Sequence, residues 1–121
     1  MSAATAPAAV DELVQAARDL TDAWRRLAPA AYPAGSLTDP AALHRVLAEL
    51  ETATATGEQV LHQLTAECDR LADATGPAAP AVDEAGQCLE AAATAAAEQA
   101  RCVEVAATIL GRALDGGAAG A

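Results

Sequence analysis

Between residues 40 and 114 the apolar positions step by four and three, the period of a helix that keeps one face against a neighbour. In the first half the seam is Leu43, Leu47, Leu50, Thr54, Gly57, Leu61, Leu64, Cys68 and Leu71. In the second it is Val82, Gly86, Leu89, Ala93, Ala96, Ala100, Val103, Ala107, Leu110 and Leu114. Thr75-Gly76-Pro77 separates the halves, so the pattern predicts helices over about 40–74 and 80–114 folded into an antiparallel hairpin. Upstream, Val10, Leu13, Ala17, Leu20, Trp24 and Leu27 predict a shorter helix over about 10–28, with Val14 widening its apolar face and Pro29 ending it. Asp11 and Glu12 are expected in its first turn and Arg25 and Arg26 in its last, the order the helix dipole favours. Strand-forming residues never cluster with period two. The expected fold class is all-α, one helical-bundle domain over 10–115 with a disordered stretch at 1–9 and a flexible tail at 116–121.

Two details sharpen this outline. Ser36-Leu37-Thr38-Asp39-Pro40 reads as a helix start, Asp39 capping and Pro40 suiting the first helical position. Tyr32, in the long connection from Pro29 to Asp39, is expected to fold over an end of the bundle. The weak stretch of the second helix is Thr52-Ala53-Thr54-Ala55-Thr56-Gly57, where β-branched residues precede a glycine that costs about 1 kcal/mol relative to Ala. The unbroken heptad phase predicts a continuous, bent helix.

Facing residues of an antiparallel pair have position numbers with a nearly constant sum, here about 153 for a short turn. That register sets Leu43 against Leu110, Leu50 against Val103 and Leu64 against Leu89. Thr54 and Gly57 fall opposite Ala100 and Ala96, so these four residues predict a narrow waist, where Gly57→Leu would destabilise strongly.

Length adds an expectation. The second helix spans roughly 50 Å and the first roughly 28 Å, so the first should lie along the half of the hairpin nearest Pro40 and Leu114. The distal arm, 58–75 and 80–95, then keeps a flank open at Val60, Leu61, Leu64, Leu71, Val82 and Leu89. Each large aliphatic left in water forgoes about 1.5–3 kcal/mol of burial. A second copy would cover them, completing a four-helix core by dimerisation; a partner protein is the other cover. A longer first helix, or a break at Gly57 that folds the chain into a compact four-helix monomer, would remove the need.

Composition changes little of this. Alanine fills 37 of 121 positions, Phe, Lys and Asn are absent, and every basic residue is Arg. Residue types with AT-rich codons are the missing ones, which points to a high-GC bacterial genome and carries no function. The formal charge is −10, and Arg25-Arg26 is the only adjacent pair of arginines, so neither nucleic acid nor an anionic membrane is an expected partner. No basic n-region opens the chain and no apolar run reaches the ~18–20 residues of a membrane span. A cytoplasmic location is expected, with leaderless export as the alternative.

Catalytic chemistry finds little to use. Cys68, Cys88 and Cys102 are too dispersed for a zinc framework; Cys68 and Cys88 lie at similar heights on facing helices, where a disulfide is conceivable, but buried free thiols are the expectation in a reducing compartment. Glu58 and His62 share a face and make half a metal site, yet no Glu-x-x-His occurs. His44 lies apart. Phosphate loops, nucleophile elbows and lysine are all missing. No catalytic, cofactor or metal residue is therefore assigned, and no enzyme activity is expected.

What remains is a non-enzymatic protein–protein interaction module, a homodimeric scaffold or adaptor. The long antiparallel pair is similar in outline to the WXG100 proteins of actinobacterial type VII secretion, a resemblance that implies leaderless export as a helical hairpin. In this chain Trp24 lies within a helix and is followed by Arg25-Arg26 rather than the Trp-x-Gly turn, and the C-terminal Tyr-and-acidic export signature is absent. An acidic antitoxin or immunity protein, covering a basic toxin surface, is a further reading that the charge permits.

Overall fold

Three α-helices, α1 (Thr5–Leu27), α2 (Pro40–Ala74) and α3 (Ala79–Gly120), make up almost all of the described residues in a computed structural model. The structure describes residues 5–28, 35–74 and 76–120; the expectations for Tyr32 and for the first four residues lie outside them. The chain divides into two units, Met1–Thr38 and Asp39–Ala121. The first holds α1 and the second holds α2 packed against α3.

In its own unit, α1 begins at Thr5 rather than near Val10. Pro7 falls in the first turn, where a missing N–H removes no intrahelical bond. Asp11 and Glu12 are accordingly past the first turn, while Arg25 and Arg26 do occupy the last. Its apolar stripe is exposed along its length, from Leu13 at 71% to Trp24 at 46%.

Helix α2 starts where the cap signal puts it. The Ala42 amide donates to Asp39 Oδ1 at 2.7 Å, and the Leu43 amide donates to the Asp39 carbonyl at 3.3 Å. Asp39→Ala should cost about 1 kcal/mol, the usual value of such a cap. Thermal melts would check this, with Asp39→Ser expected to keep most of the loss from appearing.

From Pro40 the helix is unbroken to Ala74, through Gly57. The threonines that make this stretch a poor helix former back-bond to the preceding turn. Thr54 Oγ1 donates to the Leu50 carbonyl at 2.8 Å, Thr56 to Thr52 at 3.0 Å and Thr65 to Leu61 at 2.9 Å. Thr54 is 7% exposed, so its hydroxyl enters the interface already satisfied.

A 3₁₀ turn, Gly76–Ala78, reverses the chain, with Gly76 at φ +61°, a left-handed conformation that glycine adopts without steric cost. Helix α3 then runs through Asp115-Gly116-Gly117 to Gly120, beyond the end expected near Leu114 and into the stretch expected as a flexible tail. Gly116 has no positive φ, so no left-handed cap ends the helix there.

The register is close to the expected one. Cys68 faces Gly86 and His44 faces Gly111, one or two positions from the predicted pairing. The buried positions of the contact are all small residues. Ala93 (0% exposed), Ala107, Gly86 and Thr54 are buried, while no large side chain is fully buried among the described residues. Leu47, Leu61 and Cys68, on the same line of α2, are half-buried.

Candidate functional surface

The facing line of α2 (Leu47, Thr54, Leu61, Cys68) and that of α3 (Gly86, Ala93, Ala100, Ala107) divide the hairpin into two faces. On either helix, residues three after or four before a facing position turn to one side; those four after or three before turn to the other. Because the helices are antiparallel, the same rule gives the same face on both. One face therefore gathers Leu43, Leu50, Gly57, Leu64 and Leu71 from α2 with Val82, Leu89, Ala96, Val103 and Leu110 from α3. Its outer edges add Val46, Ala53 and Val60 on one side and Ala85, Ala92 and Ala106 on the other; Glu67 is the one charged residue in these rows.

The opposite face carries His44, Glu51, Glu58, Thr65, Glu90, Ala97, Glu104 and Gly111. A cleft of about 270 Å³ confirms the assignment, since His44, Glu51, Thr108, Gly111 and Asp115 line it together with Ala48, Ala107 and Arg112. The His44 ring rests against α3 because Gly111 has no side chain: a Cβ there would lie 3.2 Å from Nε2. The cleft is wide open, and His44 was passed over in the sequence because it lies off the apolar seam.

The residues named from sequence as an interface all lie in this hairpin. Val60, Leu64 and Leu71 are 48%, 46% and 42% exposed; Leu61, on the facing line, and Val82 and Leu89, on the apolar face, are half-buried. Of the waist residues, Thr54 is buried and Ala96 and Ala100 are half-buried. At Gly57 an added Cβ meets no atom within 4 Å. The glycine that α2–α3 packing requires is Gly86, where a Cβ would stand 3.1 Å from Cys68 Cβ.

His62 Nε2 and Glu58 Oε1 are 3.5 Å apart on an exposed surface, and no group of three or more His, Cys, Asp or Glu able to hold a metal occurs among the described residues. All three cysteines are free; Cys68 is half-buried, Cys88 and Cys102 exposed. Arg70 holds Glu67 at 2.6 Å, and Arg25 stands 3.5 Å from Asp22.

Arg101 holds Glu98 at 2.5 Å, and Cys102 Sγ donates to the same carboxylate at 3.6 Å. The hydrogen bond from Arg101, then its charge, hold the Glu98 carboxyl below its ordinary pKa and raise that of Arg101. A depressed folded-state pKa contributes stability that is present above the unfolded value and lost as pH falls through the folded one. On so exposed a surface the contribution is small. Arg101→Gln should move the Glu98 titration midpoint upward in an NMR pH series; an unmoved midpoint would show that the pair does not form in solution.

No helix among the described residues is long and apolar enough to cross a membrane. Comparison with protein-family models, with curated proteins and with solved structures finds no match to this chain.

Proposed function

We propose that the protein is a non-enzymatic protein–protein interaction module, a scaffold or adaptor that works as a homodimer through the apolar face of its hairpin. One observation carries this reading. Most large aliphatic residues of both helices share one face of the hairpin, Val105 and Ile109 on the back of α3 being exposed elsewhere, yet the only residues fully buried in the contact between the helices are small. A two-helix layer of this kind has its best hydrophobic surface on the outside, where each large aliphatic can gain about 1.5–3 kcal/mol from a cover.

The face is the size a stable interface needs. Two helices about 8–10 Å apart and roughly 50 Å long present on the order of 1,000 Å². Two such faces together reach about 2,000 Å², within the usual range for specific complexes. A single helix of 23 residues, the length of α1, covers roughly a third of one face. A second hairpin covers it entirely.

The test is molar mass by light scattering together with the melting temperature over a hundredfold range of protein concentration. A dimer of twice 12.0 kDa, with a melting temperature that rises with concentration, is the expected result. A monomer whose melting temperature is independent of concentration would overturn it.

A further inference from the structure

We infer that α1 is a second self-association element, pairing antiparallel with α1 of the other copy about a two-fold axis between Ala17 and Leu20. This rests on the homodimer reading and gives a partner to the one helix that reading leaves unused.

The seam of α1 is open to such a partner. Val10, Leu13, Ala17, Leu20, Trp24 and Leu27 are all exposed along one side of the helix. The edges of this seam carry Val14 and Thr21 on one side and Ala9, Ala16 and Ala23 on the other, so it holds no charged residue.

Side-chain size selects the direction. In an antiparallel pair whose facing numbers add to 37, Val10 meets Leu27 of the partner subunit and Leu13 meets Trp24 of the partner subunit. Ala17 meets Leu20 of the partner subunit in the same register. Each layer then joins a smaller residue to a larger one, and none is empty or doubly crowded. Parallel pairing would lay Ala17 on Ala17 of the partner subunit and Trp24 on Trp24 of the partner subunit. A void and an overpacked layer two turns apart do not fit one helix spacing of about 8–10 Å.

Charge selects the same direction. Because α1 begins at Thr5, Asp11 and Glu12 lie beyond the first turn, where the helix dipole acts. No arginine stands three or four residues from either, the spacing of an ion pair within a helix. Asp22, by contrast, has Arg25 at 3.5 Å. Antiparallel pairing sets Asp11 and Glu12 alongside Arg25 and Arg26 of the partner subunit, once at each end. Parallel pairing would gather four acids at one end and four arginines at the other. α1 holds three of the seven arginines and four of the seventeen acids, a charge of −1 out of −10, so two copies of it meet little net repulsion.

The contact is small, one helix of about 35 Å along another, and falls short of what holds two free chains together. Within the homodimer the two copies of α1 belong to one particle, and their pairing is an intramolecular step.

Cysteine cross-linking tests the pair in the full chain with Cys68, Cys88 and Cys102 changed to alanine. An equimolar mixture of Val10→Cys and Leu27→Cys chains should oxidise to a covalent heterodimer, while either variant alone stays unlinked. Asp11→Arg with Glu12→Arg in both chains should cut the yield severalfold. Adding Arg25→Glu with Arg26→Glu should restore it, which damage to α1 would not. A light-scattering dimer in which the mixture fails to link, or in which Val10→Cys links with itself, would overturn the antiparallel pair and leave the homodimer reading standing. A monomeric mass for the wild-type chain would remove both.

Discussion

Leu64→Glu is expected to split the proposed dimer. Leu64 is 46% exposed in the chain and lies on the apolar face between Gly57 and Leu71, so a second copy on that face would bury what the hairpin leaves open. Losing about half the burial of a leucine forfeits roughly 1 kcal/mol in each copy. Placing a carboxylate with no counter-charge in the same interface costs at least as much again. The two-fold axis counts both effects twice, and about 4 kcal/mol in all weakens association roughly a thousandfold. Light scattering at micromolar concentration should then report the single-chain mass. Gln63→Glu, which adds the same charge on an exposed position facing away from that surface, should leave the mass unchanged. If Leu64→Glu remains dimeric, the apolar face is not the interface. If it becomes monomeric but Gln63→Glu does so equally, net charge rather than packing controls assembly.

Much of this surface was legible from residue spacing, and the reason is geometric. An unbroken run of fours and threes fixes which residues can face a neighbour, and the turn at Gly76-Pro77 fixes the register to within a residue or two. That sufficed to set Leu50 opposite Val103 and Cys68 at a height similar to Cys88, two residues from the Gly86 it faces. It did not separate the centre of the contact from its flank. Thr54 and Gly57 both belong to the run, three residues apart, yet Thr54 points at α3 and Gly57 sits to one side on the apolar face. Only the partner helix decides which of two such positions is central, so the sequence could not distinguish the glycine that the hairpin needs, Gly86, from the one it does not.

The helix ends were obscured for a different reason. Pro7 and Gly116-Gly117 are breakers by residue type, but their effect depends on position. A proline in a first turn removes nothing, and a glycine that stays at negative φ merely weakens a helix. The cleft at His44 and Gly111 was hidden because it needs both helices: neither residue lies with the other until the antiparallel register is set. The face that collects Glu51, Glu58, Glu90 and Glu104 is likewise a product of the pairing, since those glutamates belong to two separate helices.

Gly86→Leu should destabilise the hairpin itself, by a mechanism separable from dimerisation. Gly86 is buried, and even a first side-chain carbon there would lie 3.1 Å from Cys68 Cβ. Cys68 Cβ is fixed to the backbone and cannot rotate aside, so α2 and α3 must move apart to admit it. Alanine at this position gains about 1 kcal/mol of helix propensity and loses a comparable amount to that contact, leaving a change near zero. Leucine adds three further carbons to the same gap. Overpacking of this kind costs about 1–3 kcal/mol, and here it also loosens the small-residue contacts of Thr54, Ala93 and Ala107 along the same line. A fall of roughly 10 °C or more in melting temperature is expected for a hairpin of this size. Because the clash is within one chain, the fall should be the same at every protein concentration. Gly57→Leu is the counterpart: its first side-chain carbon would meet nothing within 4 Å in the chain, so a loss it causes is expected to appear as weaker association and vary with concentration. Cys68→Gly introduced beside Gly86→Ala tests the contact directly, since removing the opposing Cβ should change the effect of the alanine by more than independent sites would. If Gly86→Leu melts like the wild type, the two helices are not held as closely as Ala93 and Gly86 place them, and the thin interface from which the exposed apolar face follows would have to be redrawn.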